Sequence, residues 1–400
     1  MSSYVLEWLN LLVRWLHFTA GIAWIGTSFY FVWLDDTLTP PQKPEDVRRG
    51  VLGEVWSVHG GGFYHNQKYL TGPKGEPLTE HLHWFKWEAY ATWLSGMAML
   101  AIVYWIGAGT YLIDKSVMNL TPAAAIAISI ATLAVGWFVY DALCRLFADR
   151  PLLLGGIVYV LLALAAWGLS HVFAAQAAYM HVGAIIGTIM VANVFFWIIP
   201  GQRKMLADIR AGREPDPRPG QLAKIRSVHN TYFTLPVLFI MISAHYPMTY
   251  DNRYGWLVLA VIGLAGVLLR YFFVLSHKNK IVPALPIAAA VLLAAAAIAI
   301  APHPRSLPAA ASSVTFAQVR PVIAQRCAVC HSPVPVQPGF AAPPDGVLLD
   351  TPAHIRANAS RIYLQAVQTH AMPLGNVTAM TQAERTLVGA WIADGAKVTP

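Results

Sequence analysis

Cys327-Ala328-Val329-Cys330-His331 decides how the C-terminal end of this 400-residue chain folds. Two thiols at this spacing, followed at once by an imidazole, are the pattern of c-type haem attachment: the sulfurs add to the haem vinyl groups and the histidine takes the iron. The competing possibility, a redox disulfide, lacks a thioredoxin-type strand and helix around it. A sixth ligand is expected downstream. Met372, in Met372-Pro373-Leu374-Gly375, suits a thioether held by the proline that follows, with Met380 and His370 as competitors. A methionine ligand raises the haem potential. Ala383 to Ala393 is expected to close the unit as a helix, with Leu387 and Trp391 at helical spacing. A small all-α cytochrome c domain is therefore expected over 314–400, its cofactor a covalent haem c supplying much of the core.

The preceding residues have a different composition. Hydrophobic residues make up 56% of the chain and charged residues 12%, against roughly a quarter charged in soluble domains. A membrane span needs about 20 mostly apolar residues. Eight segments qualify: Leu11 to Leu34, Trp84 to Ile106, Ala123 to Leu143, Leu152 to Phe173, Tyr179 to Ile199, His229 to Tyr246, Tyr254 to Leu275 and Val282 to Ala301. The sixth is the weakest, being short and carrying Pro236. The expected fold class is thus all-α: an eight-helix transmembrane bundle over 1–301, a Pro-, Ala- and Ser-rich linker over 302–313, and the cytochrome c domain.

Basic residues alternate between the loops. Lys43, Arg48, Arg49, Lys68 and Lys74 lie between spans one and two, Arg145 and Arg150 between three and four, seven more from Arg203 to Arg226 between five and six, and Lys278 with Lys280 between seven and eight. The other inter-span loops carry only Lys115 and Arg253. The positive-inside rule then places both termini and the cytochrome c domain in the periplasm of a bacterial inner membrane. Covalent haem is attached on that same side. The net charge of +8 is accounted for by cytoplasmic loops in contact with the lipid bilayer, so no nucleic-acid partner is expected. The first apolar run is too long for a cleavable signal and is expected to stay as an anchor. Cys144 is expected to be a small packed residue.

Ionisable groups inside spans are costly and mark function. In the outer half, Arg14, His17, His171, His181 and His245 stand out. His17 and His181 are expected to hold a b-type haem between helices, with Gly21, Gly26, Gly183 and Gly187 making room and Arg14 meeting a propionate; hydrogen-bonded packing is the competing role. Toward the inner surface, His81-Leu82-His83-Trp84-Phe85-Lys86-Trp87-Glu88 offers possible bases (His83, Glu88), a cation (Lys86) and indoles to stack on a planar substrate (Trp84, Trp87). Helical spacing would put Trp84 and Glu88 on one face; the competing role is an interfacial belt. Asp141 and His229 also lie inward. His59-Gly60-Gly61-Gly62-Phe63-Tyr64-His65 is similar to a hydrolase oxyanion loop, but no Gly-x-Ser-x-Gly supplies a nucleophile. The glycines instead suggest a close approach to a ligand or a re-entrant turn, leaving His59 and His65 as candidate bases or ligands.

Taken together, the His-Gly-Gly-Gly-Phe-Tyr loop, the segment His83-Trp-Phe-Lys-Trp-Glu-Ala-Tyr90, and the C-terminal Cys-x-x-Cys-His with Met372-Pro-Leu-Gly-Asn-Val-Thr-x-Met resemble the bacterial membrane-bound urate oxidases, also called urate hydroxylases. The resemblance covers essentially the whole chain. It implies oxidation of urate to 5-hydroxyisourate, with electrons passing through haem to a soluble cytochrome c or terminal oxidase of the respiratory chain. Glu88, His83, His65 or His59 would supply the base, Lys86 would steady the anion, and Trp84 or Trp87 would stack on the purine. Oxidation near the cytoplasmic face would require a redox centre within a hydrocarbon core of about 30 Å. Two alternatives remain: a membrane haem oxidoreductase acting on quinol or a porphyrinogen, and a non-catalytic membrane-anchored electron carrier.

Overall fold

A computed structural model describes residues 3–301 and 314–398; the expected linker over 302–313 lies outside the described residues. The chain is mostly helical. Helix α1 spans Ser3–Thr37, α2 Trp87–Ile106, α3 Pro122–Leu146, α4 Pro151–Ser170, α5 Ala175–Arg210, α6 Arg218–Ser243, α7 Gly255–His277 and α8 Ala284–Ala299. Five of them (α2, α3, α4, α5 and α7) are long and apolar enough to cross a membrane. The others differ from the eight-span expectation: α8 is a shorter apolar helix of 16 residues, while α1 and α6 are long but more mixed in composition. Prolines at the first turns of α3 and α4 start them where no N–H partner is needed. The Thr121 hydroxyl accepts from the Ala124 N–H at the start of α3.

Helix α5 is the axis of the bundle, with 61% of its most apolar window buried against 17 to 22% for the other four. It packs on α2, α3, α4 and α6. Small residues permit this. A Cβ on Gly183 would come within 2.6 Å of Ile240 on α6, and one on Gly136 of α3 within 2.6 Å of Ile185 on α5.

The all-α expectation is corrected between α1 and α2. Strands β1, Val51–His59, and β2, Gly62–Tyr69, pair antiparallel with His59 opposite Gly62 and Trp56 opposite His65. Gly60 and Gly61 both adopt positive φ, 59° and 81°, as a two-residue hairpin turn demands. The glycines therefore turn a hairpin rather than a re-entrant loop. Its base is tied down by a bridge from Thr39 to Glu54 and by Lys68 on Asp35 of α1.

Beyond 314, α9 (Phe316–Arg326) and α10 (Gln382–Ala393) pack through Phe316 and Trp391, 5.7 Å apart. Each begins with a capping box, Thr315 with Gln318 and Thr381 with Glu384. Arg326 on α9 joins Glu384 on α10 at 2.9 Å. This unit rests on one end of the bundle. Its turn Leu374–Asn376 packs against Ala108–Leu112, the segment that extends α2, and the Ala341 N–H donates to Glu7 of α1 at 3.2 Å. Gly375 has φ +56°, and a Cβ there would lie 2.5 Å from the Thr110 carbonyl oxygen. Gly375→Val combines left-handed strain of about 1–2 kcal/mol with a clash against backbone that cannot step aside. It should undock the C-terminal unit. Amide exchange in detergent is expected to rise at Thr110 to Ile113 with helix content unchanged; unaltered protection there would refute the contact.

Candidate functional site

At the end of the bundle away from the C-terminal unit, a cavity of about 400 Å³ lies between the start of α2 and the last turns of α5. Its polar lining is Glu80, Lys86, Arg203 and Arg210, with the Trp84 indole as its aromatic wall. Three cations and one acid face it, so it favours an anion. Its size suits a small heterocycle. Lys86 Nζ lies 6.0 Å from the Trp84 ring centre and 5.7 Å from that of Trp87, so the two indoles flank the ammonium.

The local backbone corrects one expectation. Residues 81–86 belong to an extended stretch and a turn, and the helix begins only at Trp87. Trp84 and Glu88 are therefore not a helical i, i+4 pair. Trp87 is largely exposed. Glu88 sits in the first turn, where a carboxylate is favoured by the helix dipole, and its Oε2 is buried with no hydrogen-bond partner. His83 is not in the cavity lining; its ring lies 4.5 Å from that of Phe85, which meets Phe31 of α1. The hairpin carries the remaining two candidates. His65 stacks flat on Trp56 at 4.3 Å and meets Glu54 at 2.9 Å, and His59 is exposed at the turn. Neither lines the cavity.

Deeper in the bundle is a polar network that reading the sequence left as isolated residues. Asp141 on α3 accepts from Arg226 on α6 at 2.7 Å, from Arg145 at 2.8 Å and from the Trp197 indole at 2.8 Å. Arg226 is buried, lies over the Trp197 and Tyr140 rings at 4.6 and 5.3 Å, and also reaches Asn193 at 3.3 Å. Asn193 donates to Tyr140 and to Asn230, and the Tyr140 hydroxyl lies 2.8 Å from His229 Nδ1. Cys144, expected as a packed residue, is 3.8 Å from the same nitrogen. The signal available in the sequence was Asn193 among apolar neighbours.

The two histidines expected to hold a haem in the bundle each have hydrogen-bond partners of their own. His17 lies between α1 and α2, its Nδ1 at 2.9 Å from the Thr92 carbonyl and 3.2 Å from the Ser95 hydroxyl. Gly96 makes room for its ring: a Cβ there would lie 3.0 Å from it. His181 on α5 is fully buried beside Phe173 and Tyr104. Both of its ring nitrogens are engaged, by Ser129 at 2.7 Å and by the Ala177 carbonyl at 2.7 Å. The two imidazoles thus have separate neighbours, and both ring nitrogens of His181 are hydrogen-bonded.

The C-terminal motif is assembled locally. Cys327 caps α9, and its carbonyl accepts from the N–H groups of Cys330 and His331 at 3.1 and 3.0 Å, a turn that gathers both thiols and the imidazole. Both thiols are free. Burial, then the neighbouring Cys330, pushes the Cys327 thiol up to about 12, unlike the depressed thiols of exchange catalysts. His331 Nδ1 lies 3.0 Å from the Val347 carbonyl, which fixes the ring and turns Nε2 outward for a metal. Met372 packs on the core of this unit. Its N–H donates to Gln365 at 2.8 Å, and Arg385 holds its carbonyl at 2.7 Å and that of Ala366. Such a donor set fits a covalently attached haem. Among the described residues no cluster of three or more His, Cys, Asp or Glu is placed to bind a bare metal ion.

A family model described as "Urate oxidase N-terminal" matches residues 3–301. No curated protein and no solved structure matches the chain.

Removing one partner of a buried ion pair costs about 3–5 kcal/mol, because the other charge is stranded. Asp141→Asn and Arg226→Met are each expected to lower the melting temperature in detergent sharply, whereas Asp141→Leu with Arg226→Met should recover much of the loss. A double variant no better than the singles would show that the pair does not hold the helices as described.

Proposed function

The chain belongs to the urate oxidase N-terminal family, and we propose that it oxidises urate to 5-hydroxyisourate and delivers the electrons to a c-type haem in its own C-terminal unit. The observation that carries the assignment of the site is the cavity lined by Trp84, Lys86, Arg203 and Arg210, whose excess positive charge matches a planar organic anion. The balanced reaction joins urate and water, forms a C5–O bond, and releases two electrons and two protons.

Lys86, Arg203 and Arg210 hold the anion and oppose loss of its charge to solvent. Trp84 stacks on the ring. Glu80, the carboxylate in the lining, is the group to take a proton from substrate or from the attacking water; Glu88 lies outside the lining with a buried carboxylate oxygen that lacks a donor and is assigned no step. His83 stands off the lining, and His59 and His65 belong to the hairpin, so none of the three is assigned a step. Cys327 and Cys330 would carry a haem through thioethers, with His331 and Met372 as the residues that would hold its iron; such a group would supply one-electron acceptance. Arg385 fixes the backbone of the methionine ligand. His17 and His181 stay the candidates for a b-type haem in the bundle, which His181 would ligate only by releasing its hydrogen bond to Ser129 or to the Ala177 carbonyl.

The charge pattern supports an inner-membrane protein with the seven basic residues from Arg203 to Arg226 on the cytoplasmic side, and both termini with the C-terminal unit in the periplasm. There the electrons pass to a soluble cytochrome c or a terminal oxidase.

Urate added anaerobically to the oxidised protein is expected to reduce a c-type band. Lys86→Gln with Arg203→Gln should raise KM for urate by tenfold or more while leaving reduction by ascorbate unchanged, Glu80→Gln should lower kcat, and Met372→Ala should lower the haem potential. Absence of reduction by urate, with rapid reduction by quinol, would overturn the assignment.

A further inference from the structure

A second cavity, of about 300 Å³, lies at the opposite end of the bundle, on the seam between the helices and the C-terminal unit. Asp251, Arg253 and Trp256 at the start of α7 line it with His171 at the end of α4, Tyr179 of α5 and, from the C-terminal unit, His370. From this chemistry we infer a second ligand site, for a small planar heterocycle bearing both ring N–H groups and carbonyls, the class to which urate belongs.

Asp251 Oδ2 is buried with no hydrogen-bond partner, an expensive state for a carboxyl unless a donor arrives. Burial is the main cause pushing this carboxyl up to about 7; Arg385 across the seam opposes it and Asp114 adds to it. His171 Nδ1 lies 2.8 Å from the Trp167 carbonyl, so that nitrogen carries the hydrogen and Nε2 is an acceptor. The Tyr179 hydroxyl is already committed to the carbonyls of Thr249 and Gly255 at 2.7 and 2.6 Å. The wall therefore offers two acceptors, Asp251 and His171, and one strong donor, the exposed Arg253 guanidinium held against Tyr254 at 5.5 Å. A ring with N–H groups on one edge and a carbonyl on another satisfies all three, and the Trp256 indole gives it an apolar face. A simple anion would leave Asp251 unsatisfied. The first cavity selects by charge, this one by its pattern of donors and acceptors.

The position adds significance. His370 is two residues from Met372, so a heterocycle bound here adjoins the electron-accepting unit without crossing the bundle. The choice of urate as probe rests on the proposed function; the site itself does not.

Calorimetric titration of urate into the full-length haem-loaded protein, reduced with dithionite so that urate is not consumed, tests the inference. Two sites per chain are expected, one lost in Asp251→Ala and in Arg253→Gln and the other in the Lys86→Gln, Arg203→Gln variant. Because Arg253 is exposed, its variant guards against loss through misfolding. A single site removed by Asp251→Ala and Arg253→Gln but kept in the Lys86 variant would uphold the seam site and defeat the first cavity as the substrate site. A single site, or none, that ignores both seam variants would overturn the inference.

Discussion

The Asp141–Arg226 pair is the interaction on which the helical bundle most depends. Both charges are buried with little water to turn to, so each must find its partners in the protein. Asp141 is on α3 and Arg226 on α6, and the groups that complete their coordination, Asn193 and Trp197, are both on α5. One ion pair therefore pins three helices in rotation and depth as well as in proximity. Apolar packing alone does this poorly in a membrane, where lipid chains compete on equal terms with side chains. The glycine contacts of Gly183 and Gly136 with Ile240 and Ile185 then bring the same helices close enough for dispersion to act along their length.

A fixed bundle gives the C-terminal unit a definite surface to rest on. The contact is made by backbone at Thr110 and Gly375, which tolerates less adjustment than side chains would. The same Arg385 that secures the Met372 loop also interacts across the seam with Asp251 and Asp114. Its guanidinium is buried, and burial depresses its affinity for a proton, while the two aspartates oppose that effect. The charge that holds the methionine segment is thus partly balanced by the membrane unit, and docking and the geometry around Met372 are linked through one side chain.

Much of this was legible in the sequence, for reasons that can be traced. The spacing of Cys327, Cys330 and His331 is a local chemical requirement, and the structure forms it with two backbone hydrogen bonds. The closing helix expected over Ala383 to Ala393 is found at Gln382–Ala393 because the Thr381 and Glu384 cap marks its start. The hairpin was missed because its strands carry apolar and polar side chains on both faces, as the exposure of Trp56, Val58, Phe63 and Tyr64 shows, so no clean alternation marks them. The helical pairing of Trp84 with Glu88 failed because a helix start one turn later is invisible to spacing alone. The network around Asp141 joins residues 85 positions apart, and His17 and His181 acquired other partners, on α2, α3 and α5 itself. Contacts of that kind depend on which helices become neighbours, which a single sequence does not state.

Distance sets the remaining constraint on how the two ends cooperate. Tyr179 lines the seam cavity and Arg203 the other, and both lie on α5, 24 residues apart in the chain, or about 36 Å at 1.5 Å per residue. Electrons released at the Lys86 cavity would have to cover that length through a bundle whose two central imidazoles are tied up in separate hydrogen bonds. A substrate held beside Asp251 would not, since His370, two residues before Met372, is part of the same wall. The cation-lined cavity is the better trap for an anion, and the seam is the better place from which to reach the C-terminal unit. Oxidation at the Lys86 cavity thus requires a path for electrons along the bundle, whereas a ligand at the seam requires none.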